Sequence, residues 1–122
     1  MINQVRATLS QKRDYEAEYL YLRNIADDQR RKMTDKQLDR LQYLEHELRC
    51  IDSWITLLSE DEAYIIKRHY FDGIDLPRIT TEFCDRWGVE HGRDERTLKR
   101  YQSRALRKIV QFEMAKDRLL LN

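Results

Sequence analysis

The chain has 122 residues, 37% charged and 41% hydrophobic, with three glycines, one proline and a net charge of +1. This length fits one domain, or a small domain with an extension, and the composition favours helices. No apolar run reaches the roughly 20 residues of a membrane span, and no signal peptide is recognisable. Two distant cysteines, Cys50 and Cys84, indicate reduced thiols. We therefore expect an all-α protein of the cytoplasm.

Nothing in the sequence resembles a catalytic or metal-binding constellation. The three histidines lie in separate segments, and neither cysteine belongs to a C-x-x-C pair. The acidic run at 60–62 is better explained by the dipole of a helix that begins there. We expect a protein that is not an enzyme and has no cofactor or metal.

The first half of the chain, residues 1–58, predicts two helices. Apolar residues at three- and four-residue steps indicate one amphipathic helix over roughly 3–26. Thr34 and Gln37 form a predicted capping box for the next helix. Its apolar stripe approximates a heptad pattern: Leu38, Leu41, Leu44, Leu48, Ile51, Ile55 and Leu58. The two helices could pack as a hairpin within one chain or form a coiled coil between chains.

The second half, residues 59–122, predicts three further helices. Ser59 and Glu62 form a capping box for the first, and Gly73 ends it. The second begins at Asp75 or Leu76 and ends before Gly88, with Leu76, Ile79, Phe83 and Trp87 facing inward. The third is capped by Asp94 and covers roughly 95–117. Trp54, just before this half, could form a junction with it.

Positive charge is concentrated in the third of these helices. Residues 96–122 carry eight basic and two acidic side chains, while residues 59–95 carry five basic and ten acidic ones. On a wheel of 100° per residue, one side is an apolar stripe of Leu98, Tyr101, Ala105, Ile109 and Phe112. The other side holds Arg96, Lys99, Arg100, Arg104, Arg107 and Lys108. Such like charges repel one another unless an anionic partner neutralises them.

Double-stranded DNA is the partner that this basic side fits best, because an α-helix can enter the phosphate-lined major groove. Two short helices of which the second is basic also match the helix-turn-helix layout, in which the start of the second helix reaches base edges. The candidates for base contacts are Glu95, Arg96, Lys99 and Arg100. Those for phosphate contacts are Arg104, Arg107 and Lys108.

Two stretches, "LSEDEAYIIKRHYFDGIDLPRITTEF" and "RDERTLKRYQSRALRKI", resemble the fourth region of bacterial housekeeping sigma factors. The match covers about residues 57–112, and "RALRKI" is its most similar segment. With its helical first half, the chain is similar to the ArpU/RinA-type regulators of phages of Gram-positive bacteria. The resemblance implies DNA binding that switches on late phage genes. The connector "GVEHGRD" is longer than the usual tight turn, so either Gly88-Val89 or Gly92-Arg93 could form the turn.

We therefore expect a helical hairpin or coiled coil over residues 1–58, for oligomerisation or partner binding, and a sigma-like helix-turn-helix domain over residues 59–122. The expected function is sequence-specific transcriptional regulation in the cytoplasm of a bacterial host cell, with residues 1–58 available for a homodimer. Two alternatives remain: a small DNA-packaging (terminase) subunit of a phage, and a helical module that binds RNA polymerase.

Overall fold

The computed structural model describes residues 1–28, 32–87 and 94–121, with the backbone alone at Trp87 and Leu121. The described part is helical and contains no β-strand, which confirms the all-α prediction. The α-helices are α1 (Ile2–Ser10), α2 (Lys12–Asp27), α3 (Asp35–Thr56), α4 (Glu60–Ile66), α5 (Leu76–Trp87) and α6 (Glu95–Leu121). A π-helical turn, Lys67–Phe71, continues α4.

The prediction of one helix over residues 3–26 is wrong, because the chain breaks at Gln11 into α1 and α2. The reason is tertiary, since neither glycine nor proline occurs at the break. Leu9 of α1 packs into a core that includes α6, whereas Leu22 and Ile25 of α2 pack against α3. A single straight helix would have to pack into both of these cores.

Helices α2 and α3 pack side by side within the chain. Leu22 and Ile25 meet Leu41 and Leu44, and the pairs Tyr15–Tyr43 and Glu18–Arg40 flank them. The capping box at the start of α3 is confirmed, because Thr34 and Gln37 exchange hydrogen bonds of 3.0 and 3.1 Å. Leu38, predicted to lie in the apolar stripe, is instead 45% exposed.

The segment after Leu58 begins as the sequence predicts. Ser59 and Glu62 form the expected capping box. The helix widens into the π-helical turn, where the Asp72 N–H bonds to the Lys67 carbonyl. Gly73 then takes a φ of +70°, in the left-handed region that favours glycine, as predicted.

Helix α5 begins where its sequence signals place it. The Asp75 carboxylate accepts a hydrogen bond from the Arg78 N–H, and Ile79 and Phe83 are buried. Leu76 is half-buried. The predictions for the Trp87 side chain and for the turn within 88–93 fall outside the described residues.

The largest core cluster joins both halves of the chain. Its buried members come from α1, α3, α4 and α6: Val5, Leu9, Ile51, Trp54, Ile66, Ala105, Leu106 and Ile109. The indole Nε1 of Trp54 donates a 2.6 Å hydrogen bond to Oε1 of Glu113, so Trp54 does form the expected junction. The division into domains at residue 58 stays a prediction, and residues on both sides of it share this cluster.

Candidate nucleic-acid interface

Helix α6 carries the candidate site, and its start is fixed by a local cap. The Asp94 carboxylate accepts a 2.7 Å hydrogen bond from the Thr97 N–H, as the sequence predicts. Hydrogen bonds from the side chain and backbone of Thr97 lower the pKa of Asp94, so this cap stays ionised at neutral pH. The negative charge of Asp94 also interacts favourably with the partial positive charge at the N-terminus of the helix.

One side of α6 is held in the core, which fixes the direction of the other side. Leu98, Ala105, Leu106 and Ile109 are each fully buried. Leu98 packs with residues of α4 and α5, whereas the other three pack with α1, α3 and α4. The rotation of α6 about its axis is therefore set by packing along several turns. Leu106, which the helical wheel did not place in the apolar stripe, adds to this stripe.

The exposed side of α6 brings together five of the seven predicted DNA-contacting residues. Ser103 and these five cations line a surface depression of about 500 Å³: Arg96, Lys99, Arg100, Arg104 and Arg107. We call these six residues the basic face. All six are exposed, and the guanidinium and ammonium groups of the five cations extend from a single helix. Among the described residues, no second element lines this depression, so the arrangement favours binding to a polyanion over binding to a small enclosed ligand.

Two cations of the basic face have neighbours that position them. Nζ of Lys99 lies 3.4 Å from Oε1 of Glu95, one turn earlier, so Glu95 lies at the edge of the face. The guanidinium carbon of Arg104 lies 5.5 Å from the centre of the Tyr101 ring. Both contacts are on the surface and add little to stability. They leave the cations accessible to a partner.

Lys108, the seventh predicted DNA-contacting residue, is placed differently. Its Nζ lies 2.6 Å from Oε1 of Glu62, whose side chain is only 2% exposed. Burial acts to raise the pKa of Glu62, but hydrogen bonds from Lys108 and Ser59 outweigh it and the pKa is lowered. The charge of the partly exposed Lys108 side chain is thus paired with a buried carboxylate, and this pair ties α6 to α4. A helical wheel shows only where Lys108 lies around the axis of α6, so it does not reveal Glu62 as the partner.

A second ion-pair cluster connects the π-helical turn with α5. Arg68 donates hydrogen bonds to both carboxylate oxygens of Glu82 and to Asp72. These hydrogen bonds raise the pKa of Arg68. The Tyr64 hydroxyl donates to the same Glu82 carboxylate, and Arg13 of α2 reaches Asp72. This cluster fixes α5 on the helix that precedes it.

Neither a metal-binding cluster nor a membrane-spanning helix is found in the described part of the chain. Residues 1–28, 32–87 and 94–121 contain no group of three or more His, Cys, Asp or Glu side chains placed to hold a metal ion. Among these residues, no helix is long and apolar enough to cross a membrane. Burial raises the pKa of the Cys50 thiol, which makes it less reactive than an exposed cysteine.

Comparison of the chain with family models, curated proteins and solved structures finds no match.

Proposed function

We propose that this protein binds double-stranded DNA through the basic face of α6 and acts as a sequence-specific transcriptional regulator. The observation that carries the proposal is the depression lined by five exposed cations and Ser103 on one side of a helix whose other side is buried. From Arg96 to Arg107 the helix rises about 17 Å. That length suits the major groove, which admits an α-helix.

The charge distribution supports a nucleic acid as the partner. Like charges on a helix surface at three- and four-residue spacing repel one another. Phosphates that bind Lys and Arg relieve this repulsion and release condensed counterions, which favours binding entropically. Glu95 lies at the edge of the face, beside Lys99, and does not interrupt it.

The roles along α6 follow from position. Glu95, Arg96, Lys99 and Arg100 belong to the first two turns, which reach base edges when a recognition helix docks by its N-terminal part. Arginine can pair bidentately with guanine, and glutamate can accept from cytosine. Arg104 and Arg107 lie further along and suit phosphates. Because Nζ of Lys108 is held by Glu62, we assign Lys108 the role of positioning α6.

We further propose, on the sequence resemblance alone, that α5 and α6 form a helix-turn-helix unit of the ArpU/RinA type and that the regulated genes are late phage genes. On this proposal, the α2–α3 pair is available for a homodimer. Its exposed apolar side chains are Leu20, Tyr21, Leu38 and Tyr43. A dimer would double the contacts and set the spacing of two half-sites. Light scattering would separate a monomer or dimer from the ring expected of a packaging subunit.

Fluorescence anisotropy with duplex fragments from the DNA that flanks the gene tests the function. We expect one fragment to bind much more tightly than the others, and the double variant Lys99→Ala/Arg100→Ala to lose this preference. A matched control is Lys36→Ala/Arg49→Ala, which removes two exposed cations from α3. The control should bind like the wild type.

The other outcomes of this titration point to the alternatives. Equal binding of all fragments with a steep salt dependence would indicate a phosphate clamp and favour DNA packaging. No binding at low salt would contradict the DNA proposal. A search for a protein partner of the basic face, RNA polymerase first, would then follow.

A further inference from the structure

The basic face contains one residue that is neither charged nor long. Ser103 lies among the five cations that line the depression. Lys99 and Arg100 are four and three residues before it, and Arg107 is four residues after it, so all three are its neighbours on the helix surface. A serine side chain ends one atom beyond Cβ, whereas arginine and lysine extend several atoms further. Ser103 therefore forms the floor of the depression, and the cations form its walls.

Local helix stability does not explain a serine here. Serine is a poorer helix former than alanine or the long polar residues, and exposed positions in a long helix favour the latter. A hydroxyl inside a helix often donates back to a carbonyl one turn earlier, as Thr80 of α5 does to Leu76. The Ser103 hydroxyl makes no such bond to another described residue. It is exposed and available to an external acceptor.

We propose that Ser103 is the point at which the backbone of α6 comes closest to bound DNA, and that its hydroxyl donates a hydrogen bond to the nucleic acid. This inference rests on the proposed function and assigns it a further specificity-determining residue. Arg104 and Arg107 can reach outward to phosphates, and Lys99 and Arg100 can reach base edges, while the helix axis approaches the groove. A bulky side chain on the floor would hold the helix away from the base edges, and the cations alone could not restore the fit.

Ser103 would act in two ways: its small side chain leaves space for the DNA, and its hydroxyl donates a hydrogen bond. Two substitutions test these effects separately. Ser103→Ala keeps the space and removes the hydroxyl. Ser103→Leu fills the space without changing the charge. Ser53→Leu is the matched control, because Ser53 is also an exposed serine within a long helix but lies on α3. Leucine is a good helix former at both positions.

The experiment measures the affinity of these proteins for a fluorescein-labelled duplex of about 20 base pairs, two helical turns, taken from the tightest-binding flanking fragment. We expect Ser103→Ala to weaken binding about threefold, the effect of one hydrogen bond. Ser103→Leu should weaken it roughly tenfold or more, because a clash at a close contact excludes the partner. Ser53→Leu should stay within about twofold of the wild type. Circular dichroism and thermal unfolding of each variant verify that the fold is kept.

The outcomes distinguish this inference from the function on which it rests. If the wild type binds and Ser103→Leu binds as tightly as Ser53→Leu, Ser103 is not at the contact and the inference is overturned while the function stands. If Ser103→Ala weakens binding as much as Ser103→Leu, the space above Ser103 is not the determinant and the close-approach part is overturned. If the wild type does not bind the duplex at all, both proposals fail.

Discussion

Nζ of Lys108 lies 2.6 Å from the Oε1 atom of Glu62, a carboxylate that is only 2% exposed. The other carboxylate oxygen of Glu62 is buried with no hydrogen-bond partner among the described residues. Lys108 and the Ser59 N–H, which donates to the same Oε1 atom, offset the cost of burying this charge. It also links the start of α4 to the middle of α6, the helix that bears the basic face.

Replacing Lys108 should destabilise the protein more than replacing its neighbour. Lys108→Met keeps the aliphatic part of the side chain but leaves the Glu62 carboxylate without its cationic partner. We expect a loss of about 1–3 kcal/mol in the free energy of unfolding, below the value for a fully buried pair because Lys108 is 41% exposed. Urea unfolding followed by circular dichroism measures it.

Arg107→Met is the control, since Arg107 is exposed on the same helix. The free energy of unfolding of Arg107→Met should stay within about 0.5 kcal/mol of the wild-type value. Equal effects of the two substitutions would show that the Glu62–Lys108 pair does not contribute to stability.

The same pair predicts how stability depends on pH. The pKa of Glu62 in the folded chain lies below its ordinary value of 4.5. The pair therefore stabilises the fold above that value, and the stabilisation is lost as the pH falls through the folded pKa. Glu82 and Asp94 also have lowered pKa values and act in the same direction. We expect stability to fall in acid, with several carboxylates contributing.

Glu62→Gln isolates one of these contributions, because glutamine retains the capping box with Ser59 but does not ionise. Unfolding free energies measured between neutral pH and about pH 3 should fall less steeply for this variant than for the wild type. Parallel curves would mean that the Glu62 carboxylate titrates alike in the folded and unfolded chains.

Among the residues that hold α5 in position, Arg68 should be the one whose replacement has the largest effect. Its guanidinium contacts Glu82 of α5 and Asp72 after the π-helical turn. Arg68→Met should destabilise the protein measurably, because it removes the guanidinium that bridges Glu82 and Asp72, and both of these carboxylates are only partly exposed. Lys67→Met, a change at the exposed neighbouring residue, is the control. If Arg68→Met and Lys67→Met lower the thermal unfolding temperature equally, the role given to Arg68 is contradicted.

Residues along the basic face should affect DNA binding in two different ways. Arg104→Ala/Arg107→Ala should weaken binding to all sequences alike and reduce the slope of log affinity against log salt by about 2, roughly 0.9 per lost phosphate contact. Lys99→Ala/Arg100→Ala should reduce the difference between fragments instead. If both double variants change only the salt slope, α6 does not read sequence.

The features that sequence predicted correctly are local ones. The caps at Thr34, Ser59 and Asp94 each depend on a polar side chain and a partner three residues later. Gly73 ends its helix because its backbone has a positive φ. Such signals lie within a few residues of one another, so a single sequence is sufficient to find them.

The features that sequence missed depend on distant parts of the chain. Gln11 carries no helix-breaking signal, and the break there follows from the separate packing of α1 and α2. Glu62 and Lys108 are 46 residues apart in sequence, so periodicity along either helix could not reveal their pairing. Ser103 was not predicted as a site residue, because a lone serine carries no charge signal. Its place among five cations emerges only when the whole exposed side of α6 is considered.

The most direct test of the account is to map the DNA-binding surface by NMR. Amide shifts of the ¹⁵N-labelled protein would be followed while an unlabelled duplex is added at low salt. We predict that the largest changes fall on Glu95–Arg107 of α6, with small changes on the exposed side of α3. Changes concentrated on α2 and α3, or no changes at all, would contradict the proposal that the basic face of α6 binds DNA.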